Sequence, residues 1–159
     1  EICNWAFEDC ELLGSIEFQK NSELSKIGCR AFTNTSIKKI TIPSSVKEID
    51  GYAFLDCKLL ELIEFPNNSE LDKISYKVFS NTNIKQITIP SSVKEIDGCA
   101  FLDCKLLESV KFPNNSELRQ IDSSAFSNTN IEQITIPSQV EKLDHFFFGA
   151  SQLKTINVS

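Results

Sequence analysis

The sequence predicts a solenoid of stacked repeats with short parallel strands and little α-helix. One phenylalanine column runs through the chain of 159 residues with alternating spacings of 25 and 22 residues, at Phe7, Phe32, Phe54, Phe79, Phe101, Phe126 and Phe148. A segment of eleven residues, Ile40 to Asp50, returns unchanged 47 residues later as Ile87 to Asp97. Fixed periods of this length are typical of solenoids, in which each repeat packs against its neighbours. These observations predict seven repeats of 22–25 residues.

Each repeat contains a triplet in which apolar, polar and apolar residues alternate, which is the period of a β-strand. The seven triplets begin at Ile16, Ile40, Ile63, Ile87, Val110, Ile134 and Ile156. All five prolines directly follow such a triplet, where a missing N–H ends a strand ladder at little cost. Because the units are too short for an antiparallel meander, we expect a right-handed coil with a parallel sheet on its concave side.

A second group of apolar residues follows each proline and predicts the convex side of the coil. In the third repeat this group begins with Val46 and Ile49 and continues with Ala53, Phe54 and Cys57. The small spacing suits a second short strand followed by one tight turn of helix rather than a full α-helix. We therefore expect short strands and turns on the convex side.

Composition argues against two classes of partner. The chain has 16 basic and 22 acidic residues and a formal net charge of −6, which disfavours nucleic acid and anionic lipid headgroups. No apolar run approaches the roughly 18 residues needed to span a membrane, so we expect no direct membrane insertion. The chain begins with Glu1 and shows no export signal. We expect residues 1–159 to form a single repeat domain that is part of a longer repeat array.

The repeat pattern resembles a known family. From Ile84 to Cys104 the apolar triplet, proline, valine, alanine-phenylalanine pair and cysteine follow the pattern of BspA-like leucine-rich repeats, which recur in surface proteins of mucosal bacteria and parasitic protists. The resemblance covers essentially the whole chain and implies a leucine-rich-repeat solenoid. In the last repeat, Phe147 stands where other repeats carry alanine or valine, so we expect less regular packing there.

The resemblance also implies a function. It points to a non-catalytic, protein-binding repeat domain of a cell-surface adhesion or host-interaction protein, located at the cell surface or secreted. The alternative is a cytoplasmic scaffold or assembly module, or a structural spacer. Unpaired thiols and the lack of an export signal in these residues favour that alternative.

The six cysteines predict free thiols rather than disulfides. Three of them alternate with threonine in the column three residues after the phenylalanines, at Cys10, Cys57 and Cys104. An intervening rung separates any two of these by about 10 Å, beyond the limit of about 7 Å between bridged Cα atoms. Cys29 and Cys99 lie three repeats apart. Only Cys3 with Cys29, in adjacent rungs but offset by one position, is a conceivable pair.

The same inventory predicts no catalytic, metal or cofactor site. A cysteine nucleophile needs a histidine base within hydrogen-bond reach, and the only histidine, His145, lies two repeats beyond Cys99. The sequence contains neither a C-x-x-C metal motif nor a glycine-rich phosphate loop. We therefore expect no enzymatic activity and no cofactor.

Charges alternate in sign between neighbouring repeats. The position before the convex isoleucine column reads Lys26, Glu48, Lys73, Glu95, Gln120 and Lys142. Opposite charges on adjacent strands contribute about 0.2–1 kcal/mol per pair. The alternation predicts control of strand register rather than a binding patch of one sign.

Two surfaces are candidates for a protein or glycoprotein partner. One is the concave face, which is polar and contains no aromatic residue among Lys39, Thr41, Leu62, Glu64, Gln86, Thr88, Lys111, Gln133 and Thr135. The other, which we call the ridge, precedes the phenylalanine column by two residues and consists of Trp5, Arg30, Tyr52 and Lys77. Stacked cation–π pairs of about 0.5–1 kcal/mol are expected along the ridge. The simpler interpretation is that its aromatic residues cover the edge of the core.

Possible glycosylation sites and the two ends complete the expectations. Asn34, Asn67 and Asn114 begin N-x-S/T sequons, although asparagine also favours turns. In a secreted eukaryotic protein, Asn67 and Asn114 are the ones we expect to be modified, because their P-N-N-S turn should be exposed. Both ends of the coil should lack polar caps, which makes end-to-end self-association a further expectation.

Overall fold

The computed structural model describes residues 1–144, 148–149 and 152–159 as a coil of short parallel strands. The strands are β1 (Lys26–Ile27), β2 (Lys39–Thr41), β3 (Glu48–Ile49), β4 (Leu62–Glu64), β5 (Lys73–Ile74), β6 (Gln86–Thr88), β7 (Glu95–Ile96), β8 (Ser109–Lys111), β9 (Gln120–Ile121), β10 (Gln133–Ile136), β11 (Lys142–Leu143) and β12 (Thr155–Val158). The described residues contain no helix, and therefore no helix that is long and apolar enough to cross a membrane. The predicted parallel solenoid is confirmed, whereas His145 and Phe147 lie outside the described residues.

The phenylalanine column forms a continuous stack through the core. Successive ring centroids lie 5.2–5.6 Å apart and the ring planes differ by 4–27°. The inner rings are fully buried, whereas Phe7 in the first rung is 37% exposed. Stacked aromatic pairs at this distance contribute about 0.5–1.5 kcal/mol beyond the area they bury. The seven rings delimit six complete turns of the coil.

The concave strands are hydrogen-bonded two by two rather than as one sheet. Parallel ladders join β2 to β4, β6 to β8 and β10 to β12. In contrast, β4 and β6 lie side by side without a shared ladder, as do β8 and β10. The ladder is open wherever the connection is one residue longer and carries the P-N-N-S turn. The concave face is therefore divided at a period of two rungs.

The first triplet, which begins at Ile16, does not form a strand. This finding corrects the expectation of one strand in each of seven triplets. The longer connection separates Ile16 from β2, so the ladder is open between these two segments, as it is between β4 and β6.

The convex strands form a second, outer sheet. Here β1 pairs with β3, and β5, β7, β9 and β11 form a four-stranded ladder. The two pieces meet at Ser75, whose hydroxyl donates to the carbonyl oxygen of Ile49. In the other rungs a backbone N–H makes this bond, as in Asp97 N to Ile74 O at 2.8 Å. At Ser75 a side-chain hydrogen bond thus replaces one backbone hydrogen bond of the ladder.

Each outer strand is followed by turns instead of the expected turn of helix. Two residues per rung have φ between 52° and 65°, in the columns Trp5, Arg30, Tyr52, Lys77, Cys99 and Ser124 and Asp9, Asn34, Asp56, Asn81, Asp103 and Asn128. A residue with this φ cannot continue a right-handed helix, which explains the difference. Asparagine and aspartate tolerate the conformation better than other side chains, and they occupy the second column in all six rungs for which the structure describes it.

Candidate functional site

The outer sheet carries a network of ion pairs. Lys26 Nζ lies 2.9 Å from Glu48 and 3.1 Å from Asp50, and hydrogen bonds to both carboxylates raise the pKa of Lys26. Lys73 repeats the arrangement at 3.3 Å from Glu95 and 2.8 Å from Asp97. Burial of Lys73 opposes its charge, but the two carboxylates outweigh burial and raise its pKa. These contacts confirm the predicted cross-strand pairs.

One cluster in this network has the composition of a metal site. Carboxylate oxygens of Glu95, Asp97 and Asp122 lie within 4.8 Å of one another. However, Lys73 binds the first two, and the Gln120 amide donates to Asp122 at 2.6 Å and to Glu95 at 3.4 Å. Protein donors therefore already occupy the cluster, and its chemistry is that of an ion-pair network.

Two of the six cysteines are buried and hydrogen-bonded. Cys57 Sγ and Thr35 Oγ1 lie 3.3 Å apart, and Cys104 Sγ and Thr82 Oγ1 show the same distance. Burial raises the pKa of the Cys57 thiol and raises that of Cys104 to about 11. Protonated thiols are poor nucleophiles, so these positions serve packing. All six cysteines are free in the structure, with Cys3 and Cys10 exposed.

The ridge forms one of the cation–π pairs that its sequence predicts. The Arg30 guanidinium lies 5.1 Å from the centroid of the Tyr52 ring and also pairs with Glu8 at 3.2 Å. Lys77 does not stack on Tyr52. Its ammonium lies 5.4 Å from the ring centroid of Tyr76, its neighbour in sequence. Trp5 is 58% exposed at the first rung. The predicted alternating stack is therefore wrong beyond Arg30 and Tyr52.

Sequence reasoning missed Tyr76, which completes this surface. Its ring meets Tyr52 edge-on, with centroids 5.4 Å apart and an interplanar angle of 77°, and the residue is 40% exposed. The neighbouring rungs carry Gly51 and Gly98 at the same position, where a Cβ would lie 3.1 Å from the Tyr76 carbonyl oxygen and 3.8 Å from its ring. A tyrosine between two glycines in one column was the available signal. We call Arg30, Tyr52, Tyr76 and Lys77 the aromatic cluster.

A shallow depression adjoins the aromatic cluster. Its volume is about 590 Å³, and its lining includes Arg30, Tyr52, Lys77, Asp103 and Lys105. The depression combines ring edges with both signs of charge on the outside of the turns. Such a lining suits contact with a macromolecule better than capture of a small molecule, which needs a deeper cleft.

The concave candidates divide into a paired group and an available group. Lys39 lies 3.1 Å from Glu64, and Thr41 donates to the same carboxylate at 3.0 Å. The ion pair with Lys39 and the bond from Thr41 lower the pKa of Glu64. Leu62 is half-buried. The exposed candidates with no side-chain hydrogen bond or ion pair in the described part of the chain are Gln86, Thr88, Lys111, Gln133 and Thr135.

The concave side also carries aromatic side chains, which corrects the prediction that it has none. Phe18, Phe65 and Phe112 are half-buried and line depressions on this side. Each is the third residue of a triplet, where the alternate rungs carry fully buried isoleucines such as Ile42 and Ile89. The exchange of isoleucine for the larger phenylalanine in every second repeat was visible in the sequence.

The sequons differ in accessibility. Asn67 and Asn114 are exposed in their turns, as expected. Asn34 is half-buried, and its side-chain nitrogen donates to Asp9 at 3.1 Å. Because a glycan attaches to that nitrogen, the structure favours Asn67 and Asn114 over Asn34 as acceptors.

The chain belongs to the BspA type leucine rich repeat family. The family model matches residues 1–106 and 72–159, with six copies of the repeat. No curated protein sequence matches the chain. A leucine-rich repeat protein from Bacteroides ovatus is 32% identical, with a TM-score of 0.86 over 98% of this chain and 39% of its own.

Two further solved structures are similar. The pneumococcal vaccine antigen PcpA is 28% identical, with a TM-score of 0.78 over 86% of this chain and 36% of its own. A leucine rich cell surface protein from Faecalibacterium prausnitzii is 26% identical, with a TM-score of 0.61 over 85% and 43%. The chain thus spans about two fifths of the length of the proteins it resembles.

Proposed function

We propose that this chain is a non-catalytic, protein-binding domain of a cell-surface protein. The observation that carries the proposal is the aromatic cluster, in which Tyr76 is exposed and the other members are half-buried, because tyrosine and arginine dominate the binding energy of protein interfaces. Family membership supports it, as does the similarity to a vaccine antigen and to a cell surface protein. The partner is a protein or glycoprotein.

The architecture supports binding over an extended surface rather than chemistry. Stacked rungs repeat the same contact positions along one axis, which provides area without an enclosed cavity. The buried thiols of Cys57 and Cys104 stay protonated, and the acidic cluster at Asp97 is occupied by Lys73. These residues therefore act in packing and register, and the partner surface is the aromatic cluster.

Alanine variants of two surfaces test the proposal. One variant replaces Arg30, Tyr52 and Tyr76, and its matched control replaces Lys39, Leu62 and Glu64 on the concave face. Binding of the fluorescently labelled chain to epithelial cells is measured before and after proteolytic removal of their surface proteins. We expect the first variant to weaken the protease-sensitive part of this binding at least tenfold and the control to leave that part unchanged.

If the concave-face variant weakens binding more than the aromatic-cluster variant does, the protein-binding site lies on the concave face. If both variants remain folded and bind cells as the wild type does, the domain is a spacer and the binding proposal fails. Trp5→Ala tests the ridge separately, because Trp5 lies outside the aromatic cluster.

We further propose that residues 1–159 are one repeat domain within a longer array. The chain spans about two fifths of its solved neighbours, and its end rungs expose Phe7 and Val158. Uncovered end rungs also favour end-to-end association of the isolated chain. Sedimentation velocity at rising protein concentration should show oligomers, and a strictly monomeric species would contradict the association.

A further inference from the structure

Three similar depressions recur along the concave side at every second rung. Their linings include the half-buried rings of Phe18, Phe65 and Phe112, and their volumes are about 770, 250 and 790 Å³. Each also contains a threonine from the following strand, at Thr41, Thr88 and Thr135. The depressions coincide with the places where the strand ladder is open. The 47-residue period of the sequence thus places a phenylalanine and a threonine in each of three depressions along this side.

The spacing of the three depressions is at least about 10 Å. Hydrogen-bonded parallel strands lie about 4.8 Å apart, so two rungs separate corresponding groups by at least about 10 Å, and the open ladder adds to this distance. The core rings agree with this value, because each step of the phenylalanine stack measures 5.2–5.6 Å. A ligand that uses several depressions must repeat its own chemistry at this distance along the solenoid axis.

The lining combines an aromatic ring with amide and hydroxyl groups that are free to form further hydrogen bonds. In the described part of the chain, Gln133 and Thr135 beside Phe112 have no side-chain hydrogen-bond partner, nor do Gln86 and Thr88 beside Phe65. Such groups donate and accept, which suits a ligand with many hydroxyl groups. The residues that line the three depressions include no Trp, Tyr or Arg, the types that dominate protein interfaces.

The three depressions together carry a positive net charge, whereas the chain as a whole is negative. The depressions contain Lys20, Lys39 and Lys111 against Glu17 and Glu64, whereas the whole chain has a net charge of −6. Glu64 is already bound by Lys39. Lys20 and Lys111 have no carboxylate within ion-pair distance in the residues that the structure describes. Two lysines are therefore available to an anionic ligand.

We propose that the concave face binds an extended, linear anionic polysaccharide that carries one carboxylate per disaccharide. The apolar face of a sugar ring packs on each phenylalanine, its hydroxyls bond the glutamine and threonine side chains, and its carboxylates pair with Lys20 and Lys111. An extended chain of β-linked disaccharides presents the same groups once per disaccharide, at a repeat close to two rungs. This site is separate from the aromatic cluster and does not depend on it.

Hyaluronan oligosaccharides of one to four disaccharides, titrated by calorimetry, test the proposal. Affinity should rise with each added disaccharide up to three and then level off, because the face has three depressions. Lys111→Glu should weaken binding at least tenfold. Lys105→Glu is the matched control, since it makes the same charge change at an exposed lysine on the turn side, and it should change affinity less than twofold.

Several outcomes would overturn the proposal. The first is that the chain does not bind hyaluronan. The second is that Lys111→Glu, with the same circular dichroism spectrum as the wild type, binds hyaluronan with the same affinity as the wild type. The third is that the chain binds neutral chitin oligosaccharides as tightly as hyaluronan. A proline-rich peptide is the competing occupant, because a polyproline II turn of three residues advances about 9 Å. If the face binds that peptide and not hyaluronan, its ligand is a polypeptide and the polysaccharide proposal is wrong. Tyr76→Ala should leave hyaluronan binding intact, which separates this site from the proposed protein-binding site.

Discussion

Cys57 Sγ lies 3.0 Å from the carbonyl oxygen of Phe32 in the preceding rung and donates a hydrogen bond to it. Thr35 Oγ1 donates to the same oxygen, also at 3.0 Å. Two rungs further on, Cys104 Sγ donates at 3.0 Å to the carbonyl oxygen of Phe79. The buried cysteine and threonine side chains of this column are therefore hydrogen-bonded polar groups, and not merely small apolar residues.

Replacement of Cys57 by serine tests how much the hydrogen bond from Cys57 to Phe32 and the packing of the thiol contribute to stability. The serine hydroxyl can take the bond to Phe32 but is smaller than the thiol, so we expect a loss toward the low end of the ~1–3 kcal/mol typical of an imperfectly satisfied buried polar group. Urea unfolding measures the change. Cys10→Ser, at an exposed cysteine, should leave stability unchanged. A loss far above 3 kcal/mol for Cys57→Ser would show that the hydroxyl is not satisfied.

Thiol titration checks the predicted reduced state of all six cysteines. In the native protein at pH 8, the exposed Cys3 and Cys10 should react first, and the buried Cys57 and Cys104 should react only on unfolding. Six thiols should titrate in denaturant without reductant. A smaller number would demonstrate a disulfide, and Cys3 with Cys29 would be the first pair to examine.

The buried thiols predict a loss of stability at alkaline pH. An unfolded thiol ionises near pH 9, whereas burial holds the pKa of Cys104 at about 11 in the folded state. The raised pKa stabilises the fold below pH 9, and this contribution is lost as the pH rises from 9 to 11. For Cys104 it is on the order of 2–3 kcal/mol.

Comparison of two variants isolates this contribution. Between pH 8 and pH 10.5 the free energy of unfolding of Cys104→Ala should fall less than that of the wild type, whereas Cys10→Ala should follow the wild type. Chemical denaturation at each pH provides the values. Parallel curves for all three proteins would show that the Cys104 thiol does not contribute.

The positive φ of Ser124 predicts a stabilising substitution. Ser124 has φ 58°, a conformation that costs a non-glycine residue about 1–2 kcal/mol and costs glycine almost nothing. Ser124→Gly should therefore raise stability by about 0.5–1 kcal/mol after the entropy that glycine loses on folding. Ser123→Gly, next to it but outside the positive-φ column, should lower stability by about 0.5–1 kcal/mol. A loss of thermal stability in Ser124→Gly would contradict the assigned turn.

The two columns of positive φ illustrate what local sequence can and cannot predict. The asparagine and aspartate column that includes Asp56 and Asn81 marks a turn by composition alone. The other column contains tryptophan, arginine, tyrosine and lysine, none of which favours this conformation. Because all six described rungs adopt it whatever their residue, the stacking of the turns imposes it, and the conformation of Tyr52 gives no separate sign of function.

The aromatic cluster shows the same limit. The order of Arg30 and Tyr52 in one column predicted their contact correctly, because both lie at the same position of adjacent rungs. Tyr76 belongs to a neighbouring column, and only the packing of its backbone against Gly51 and of its ring against Gly98 places it against Tyr52. Contacts between columns depend on side-chain direction, which a one-dimensional pattern does not contain.

The sequence by itself determined the period, the phenylalanine stack, the strand positions and the alternating charges at Lys26 and Glu48, because each depends on repetition at one position. The tertiary structure alone decided where the ladders open, which lysines remain available and how Phe65 and Phe112 reach the concave surface. These features depend on small differences between repeats. One extra residue in a connection, or a phenylalanine in place of isoleucine, changes the distance between strands only when the rungs are stacked against each other.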